Sequence, residues 1–347
     1  MKKLILLLVL AFTISGLLVS NVFATDKFDP TPENPIILKF TCSLTPGMDS
    51  AIGPKEWCEY IETNSGGRIK TQFFDSGSLY SSKQSLEAVM MGMCQAQESL
   101  ASDLVAAIPE FEMLIAPGTC NVPGLFNKIV DGEIGAKLME SLERKGLKGI
   151  AIITDGGYGK YCTGYVTKSR FIKVPTDFAG LKIAVTFPAD VSIVKKYGGI
   201  PASISGGEKF MALQLGTIDG TSCGFNHFEE RKLHEAGAIY YTVCPTKGCM
   251  VYVVSVNKDW FDKIPSDLQT LMLESGKRIM DVGSRERAEK SDELSYQYAI
   301  DHGVLVHELT PEELATWEGD VKEVIDTMKA KDPRLKELLE MVEELKG

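Results

Sequence analysis

The chain has 347 residues, 44% of them hydrophobic and 24% charged, enough for one large or two medium domains with buried cores. A formal net charge of −10 argues against nucleic acid as a partner, because phosphate binding needs a basic face. Eight cysteines allow disulfides in an oxidising compartment, but their spacing is not that of a disulfide-stapled miniprotein.

The first residues read as a secretory leader. Lys2 and Lys3 precede an apolar run from Leu4 to about Leu18, and Val22-Phe23-Ala24 suits cleavage near Ala24, so residues 1–24 are expected to be removed on export. After a Pro-rich lead, "IILKFTCSL" reads as a strand and "GPKEWCEYIETNSGG" as a helix stopped by Gly66-Gly67. "RIKTQFF" returns as a strand, "SSKQSLEAVMMGM" as a helix capped at Ser81 or Ser82, and "CQAQES" leads into the next strand. This alternation predicts parallel α/β architecture, and it continues through "KGIAIIT". The segment Val174–Asn226 reads as a helical start, a strand, a helix, a loop, a second helix and a strand entered through Gly220. "VYVVSVNKDWFDKIPSDLQTLM" is a strand followed by a helix, and the charged stretch Pro265–His302 is helical by pattern. "VLVHEL" is a last strand before a helix begun by Thr310 and Pro311.

Four stretches carry a resemblance. They are "GGRIKTQFFDSGSLYSSKQSLEAVMMGMCQA", "IPEFEML", the Asp177–Lys182 and Lys209–Gly220 portions of the Val174–Asn226 segment, and "VYVVSVNKDWFDKIPSDLQTLM". In this order and spacing the chain resembles the substrate-binding proteins of TRAP transporters, the C4-dicarboxylate-receptor-like family. The resemblance implies an α/β, two-lobed periplasmic binding protein fold, with a mixed sheet in each lobe, crossing hinge strands and a long bridging helix. Its expected division is residues 25–161 plus 250–290 in lobe I and 162–249 plus 291–347 in lobe II. The implied role is capture of a small molecule and delivery to integral membrane permease subunits, with no cofactor and no catalysis. A ligand-binding subunit of a periplasmic sensing system would share the fold and the cleft.

The resemblance also implies an arginine clamp for a ligand carboxylate, and this chain departs from it. Ala184 stands where the family's Gly-Leu-Lys-hydrophobic-Arg pattern ends, Gly164 aligns with a second arginine, and Cys223 with an asparagine. One reading is a neutral, aromatic or amine-bearing ligand held by Tyr158, Tyr161, Tyr165, Phe187 and Phe225, with Ser43, Glu98 and Asn226 as polar contacts. The other keeps a carboxylate and relocates the clamp to Lys160, Lys168 or Arg170. A metal set from Cys223, His227, Cys244 and Cys249 has spacing wider than zinc sites favour. A Cys223 nucleophile with His227, His234, His302 or His307 as base is not oriented by any motif. "SISGGEKF" reads as a loop leading into a helix, and "EERK" at Glu229–Lys232 as a solvated face.

Overall fold

The computed structural model describes residues 27–346 except 120–123, 156–162, 245–246 and 249. The leader therefore lies outside the described residues, as do Tyr158, Lys160 and Tyr161 of the candidate site.

Two sheets are formed. In the first, β1 (Ile36–Thr41) lies between β2 (Ile69–Phe74) and β3 (Ala96–Leu100), parallel to both, with Ile36 opposite Ile69 and Phe40 opposite Ala96. The sheet is completed by β4 (Leu147–Thr154) and β10 (Val251–Asn257), in the order β2-β1-β3-β10-β4. β10 runs antiparallel to both its neighbours, so the sheet is mixed. Period-two alternation explains β1: Leu38 and Phe40 are fully buried while Lys39 between them is exposed. Phe40 meets the Trp57 ring edge-on at 6.3 Å, and the Trp57 indole donates to the Met272 carbonyl at 3.1 Å and to Ser275 Oγ at 3.0 Å. That tryptophan ties the helix Asp49–Asn64 to the long helix downstream.

The second sheet has the order β11-β9-β5-β8-β6-β7, built from β5 (Gly164–Thr167), β6 (Lys182–Ala184), β7 (Ile200–Ala202), β8 (Gly220–Cys223), β9 (Tyr240–Val243) and β11 (Leu305–Glu308). β5 is antiparallel to β8 and β9, whereas β6 is parallel to β7 and β8. The chain passes from the first sheet to the second between Thr154 and Gly164, and back between Val243 and Val251. Each sheet is therefore assembled from separated stretches of sequence.

One continuous helical run bridges the sheets: Ser266–Ser275, wider π-helical turns at Gly276–Val282, then Gly283–Asp301. Its early part packs on Trp57 and β4, and its later part on the helix Phe225–Glu230. Ser284 Oγ accepts from the Thr154 amide at 3.2 Å, fastening the run to the strand end where the chain leaves the first sheet.

The C terminus corrects the expected division. Residues 291–347 are expected in lobe II, but the helix Pro333–Lys346 buries Leu335, Leu338, Leu339 and Val342 among Leu104, Phe111, Phe126 and Leu138 of the first lobe. An apolar stripe needs a partner, and the first lobe's own helices supply one. The preceding helix, Glu318–Lys331, joins both lobes: Lys196 reaches Asp320 at 2.8 Å on one side, and Lys331 reaches Glu112 at 2.6 Å on the other.

Candidate functional site

The strand ends define the site. Gly164, where the chain enters the second sheet, pairs with Cys223 at the end of β8 and with Val243 at the end of β9. Ala184 ends β6 beside Thr221. Across from them are the ends of β1 and β4, the start of β10, and Glu98 within β3. Ligands of open α/β sheets settle outside the carboxyl ends of strands, which is where these two edges face each other.

On the first-lobe wall, Glu98 is buried. Its Oε2 accepts from the Ser43 amide and hydroxyl, each at 3.2 Å, and from the Cys42 thiol at 3.7 Å. Its Oε1 has no hydrogen-bond partner among the described residues. Burial, with the nearby Asp155 charge adding, outweighs these hydrogen bonds and lifts the Glu98 carboxyl to about 7. Tyr252 is also buried, and burial first, then the Asp155 and Glu98 charges, push its hydroxyl well above the usual tyrosine range, with Arg231 opposing.

At the hinge, Asn226 Nδ2 donates to the Asp155 carbonyl at 2.6 Å, and His227 Nε2 lies 3.1 Å from Asp155 Oδ2. The Ser50 amide donates to Asp155 Oδ1 at 3.2 Å. Asp155 thus ties the start of the helix Asp49–Asn64 to the helix Phe225–Glu230. A hollow of about 210 Å³ opens beside this clasp, lined by Met48, Asp155, Asn226, His227, Glu230 and Ser291. Two larger hollows, of 480 and 680 Å³, lie along the helix Glu318–Lys331, and none of their lining residues belongs to a strand. Position relative to the strand ends, not size, decides which region is the candidate site.

The second-lobe wall differs from its sequence expectation. At Gly164 a Cβ would lie 2.0 Å from the Thr242 carbonyl oxygen and 2.7 Å from the Tyr241 ring, so no side chain fits there. Ala184 is fully buried in an apolar cluster with Cys223 and Tyr241. Phe225 is fully buried too, stacked on Tyr241 with ring centres 4.0 Å apart, and so fills the lobe's core. Tyr165 donates its hydroxyl to Asp190 at 3.1 Å and packs against Phe178 and Trp317. Phe187 joins the first lobe's apolar cluster. Burial pushes the Cys223 thiol up, opposed by Lys209, Arg231 and Lys247.

Lys168 and Arg170 sit at the other end of β5. Lys168 donates to the Leu213 carbonyl at 2.9 Å, and Arg170 caps the carbonyls of Asp177 and Ala179 at 2.9 and 2.7 Å. The cations near Cys223 are instead three that the sequence reading passed over. Lys209 is buried, and its amine donates to the Ser222 carbonyl at 3.0 Å. Lys247 is buried against Asp190 and sits 4.1 Å above the Tyr165 ring. Arg231 leans over Gly206, where a Cβ would lie 2.9 Å from a guanidinium nitrogen. The signal was hidden because each of the three stands in a segment whose composition reads as loop, turn or solvated face.

The metal and nucleophile readings gain no geometry. Among the described residues no group of three or more His, Cys, Asp or Glu could hold a metal, and Cys249 lies outside them. His227 faces Asp155, His307 pairs with Glu313 at 2.6 Å, and His302 contacts the Tyr298 carbonyl at 2.8 Å. His234 packs against His302 and Tyr298.

The model of the bacterial extracellular solute-binding proteins, family 7 (DctP), matches residues 44–332. The chain belongs to this family. Among its relatives, the C4-dicarboxylate-binding periplasmic protein DctP of Rhodobacter capsulatus is 28% identical over 302 residues, 86% of this chain and 88% of that one. A TRAP periplasmic solute-binding protein from Ochrobactrum anthropi, solved with its C terminus bound in the ligand-binding pocket, superposes with a TM-score of 0.80. It is 24% identical, covering 90% of this chain and 96% of the other. Another from Desulfovibrio salexigens, with bound orotic acid, gives a TM-score of 0.76 at 19% identity, covering 89% and 97%. The fold is therefore that of the two-lobed TRAP solute-binding proteins, and this member is a periplasmic one. No helix among its described residues is long and apolar enough to cross a membrane.

Proposed function

We propose that this DctP-family protein captures a small organic acid between its two lobes and hands it to a TRAP-type membrane permease, performing no chemistry on it. The observation that carries this reading is the opposition of two unlike walls. One presents the Glu98 carboxyl with an open oxygen and the other a concentration of positive charge around Cys223. A ligand bridging them favours the closed arrangement over the open one, which is the population shift a solute receptor needs. The relatives named for C4-dicarboxylate and solved with orotic acid both take organic acids, which agrees with a cationic wall.

This reading replaces the neutral or amine-bearing ligand suggested by the loss of arginine at Ala184. Of the aromatic rings that supported that idea, the three among the described residues are committed elsewhere: Phe225 to the core, Phe187 to the first lobe's cluster and Tyr165 to Asp190. The test is the thermal midpoint of the mature protein against a library with equal numbers of organic acids and non-acids. A compound at 100 times its dissociation constant adds about 2.7 kcal/mol, enough to move the midpoint by several degrees. Shifts from acids are expected; shifts from non-acids alone would reject the reading.

A further inference from the structure

We infer that Lys209, Arg231 and Lys247 form the wall that holds the ligand's acid group, in place of any side chain on the strand ends. The inference rests on the organic-acid reading above and names the residues that perform it.

The strand ends are closed to the task. Gly164 has no room for a side chain, and Ala184 is sealed in apolar surroundings. The positive charge arrives from three other elements: the first turn of the helix Lys209–Gln214, the end of the helix Phe225–Glu230, and the crossing segment after Val243. The three cations act together on Cys223, and Lys209 is held at the neighbouring Ser222 carbonyl.

Their states of compensation differ. Lys247 is balanced by Asp190 and the Tyr165 ring. Lys209 is only 6% exposed, and its one hydrogen bond among the described residues goes to a backbone carbonyl. Arg231 has a carboxylate, Glu230, only at 4.0 Å, and no side-chain hydrogen bond among the described residues. A buried ammonium without a hydrogen-bonded counter-ion is costly, and the charge of the half-buried Arg231 raises that cost at Lys209. Burial, reinforced by Arg231 and Lys247, brings the Lys209 amine down to about 8. An oxyanion placed between Lys209 and Arg231 removes that penalty. Lys247, already paired, fixes the edge of the site by holding Asp190 and Tyr165 in place.

The chemistry of such a wall differs from that of a single strand-borne fork. A lysine is a point charge that does not impose a planar bidentate geometry. The wall therefore takes a tetrahedral sulfonate as well as a planar carboxylate, and the shared requirement is an organic oxyanion.

The test titrates wild type, Lys209→Met, Arg231→Gln, Gly206→Ala and Lys168→Met with succinate, glucuronate, orotate and 2-hydroxyethanesulfonate at pH 7, and wild type also with their uncharged amides. It also records the midpoint of each ligand-free protein. For any compound that binds wild type, Lys209→Met and Arg231→Gln are expected to weaken binding at least tenfold. Gly206→Ala keeps every charge but displaces Arg231, and is expected to weaken it several-fold. Lys168→Met is expected to stay within twofold. Binding unchanged in both Lys209→Met and Arg231→Gln overturns the inference while leaving the organic-acid reading intact. Wild type binding only the uncharged amides of these compounds overturns both. The ligand-free comparison decides even if none of the probes binds. Lys209→Met loses a penalised charge, while the Ser222 carbonyl still accepts from Thr221 Oγ1 at 3.1 Å. Its midpoint is expected to equal or exceed that of wild type, and a clear fall would show Lys209 to be a structural support.

Discussion

The two walls of the cleft solve the same problem with opposite materials. The first-lobe wall is built from strand residues, with Glu98 on β3 and Ser43 just beyond β1. It holds a buried carboxyl partly satisfied by neighbours on its own sheet. The second-lobe wall leaves its strand ends bare, at Gly164, Ala184 and Cys223, and draws charge from helices and a crossing segment behind them. The lesson is that the ligand-facing charge of a lobe need not lie on its strands. It needs only to be buried close to them.

The sharpest break of this comparison is Gly164→Arg. Restoring a guanidinium at that strand position forces a Cβ against the Thr242 carbonyl oxygen and the Tyr241 ring. We expect a loss above about 3 kcal/mol or outright failure to fold, read by urea denaturation. A protein of wild-type stability would show that the position is open after all. Next comes Asp190→Asn, which strips the buried Lys247 of its counter-ion. Breaking such a pair costs about 3–5 kcal/mol. Calorimetric unfolding showing less than about 1 kcal/mol would mean that solvent already screens the pair.

The walls should also titrate in opposite senses. The folded Glu98 carboxyl lies at about 7, above its ordinary 4.5, so the folded state binds the extra proton between those values. Its contribution is complete below pH 4.5 and is lost as pH rises through 7, by about 3 kcal/mol, and Glu98→Gln should abolish that slope. The folded Lys209 amine lies at about 8, below its ordinary 10.5, so here the unfolded state binds the extra proton. Stability of the ligand-free protein should therefore rise between pH 8 and 10.5, and that rise should vanish in Lys209→Met. Denaturation midpoints across both windows check the pair of slopes. On binding itself Ala184→Arg should bring no gain: its guanidinium would be forced into an apolar cluster, costing stability without tightening acid binding beyond wild type.

Much of the fold was legible because periodicity and turn chemistry are local. The alternation in "IILKFTCSL" gives β1 with Leu38 and Phe40 inward, and the Ser81–Gln84 box opens the helix Ser82–Met90 as its capping pattern suggests. Docking between distant segments left no local trace. Nothing in "PRLKELLEMVEELK" says that its Leu stripe returns to the first lobe. The site divides the same way. In the proposed site, Ser43 and Glu98 could be singled out because a polar residue at a strand end or inside a buried strand stands out against its neighbours, and the two are in contact. Lys209, Arg231 and Lys247 were not, because lysine and arginine in "SISGGEKF", "EERK" and "PTKG" look like ordinary surface charge until packing buries the two lysines and half-buries the arginine. Phe225 misled for the converse reason: an aromatic beside a cleft strand looks available, yet its ring is stacked on Tyr241.

The most direct measurement is isothermal titration of the mature protein with the tightest-binding organic acid and, separately, with its primary amide, which keeps the shape and removes the charge. The account predicts one acid bound per chain and an amide at least about 100-fold weaker, a difference of about 2.7 kcal/mol. Equal affinity for the two, or binding of the amide alone, would contradict it.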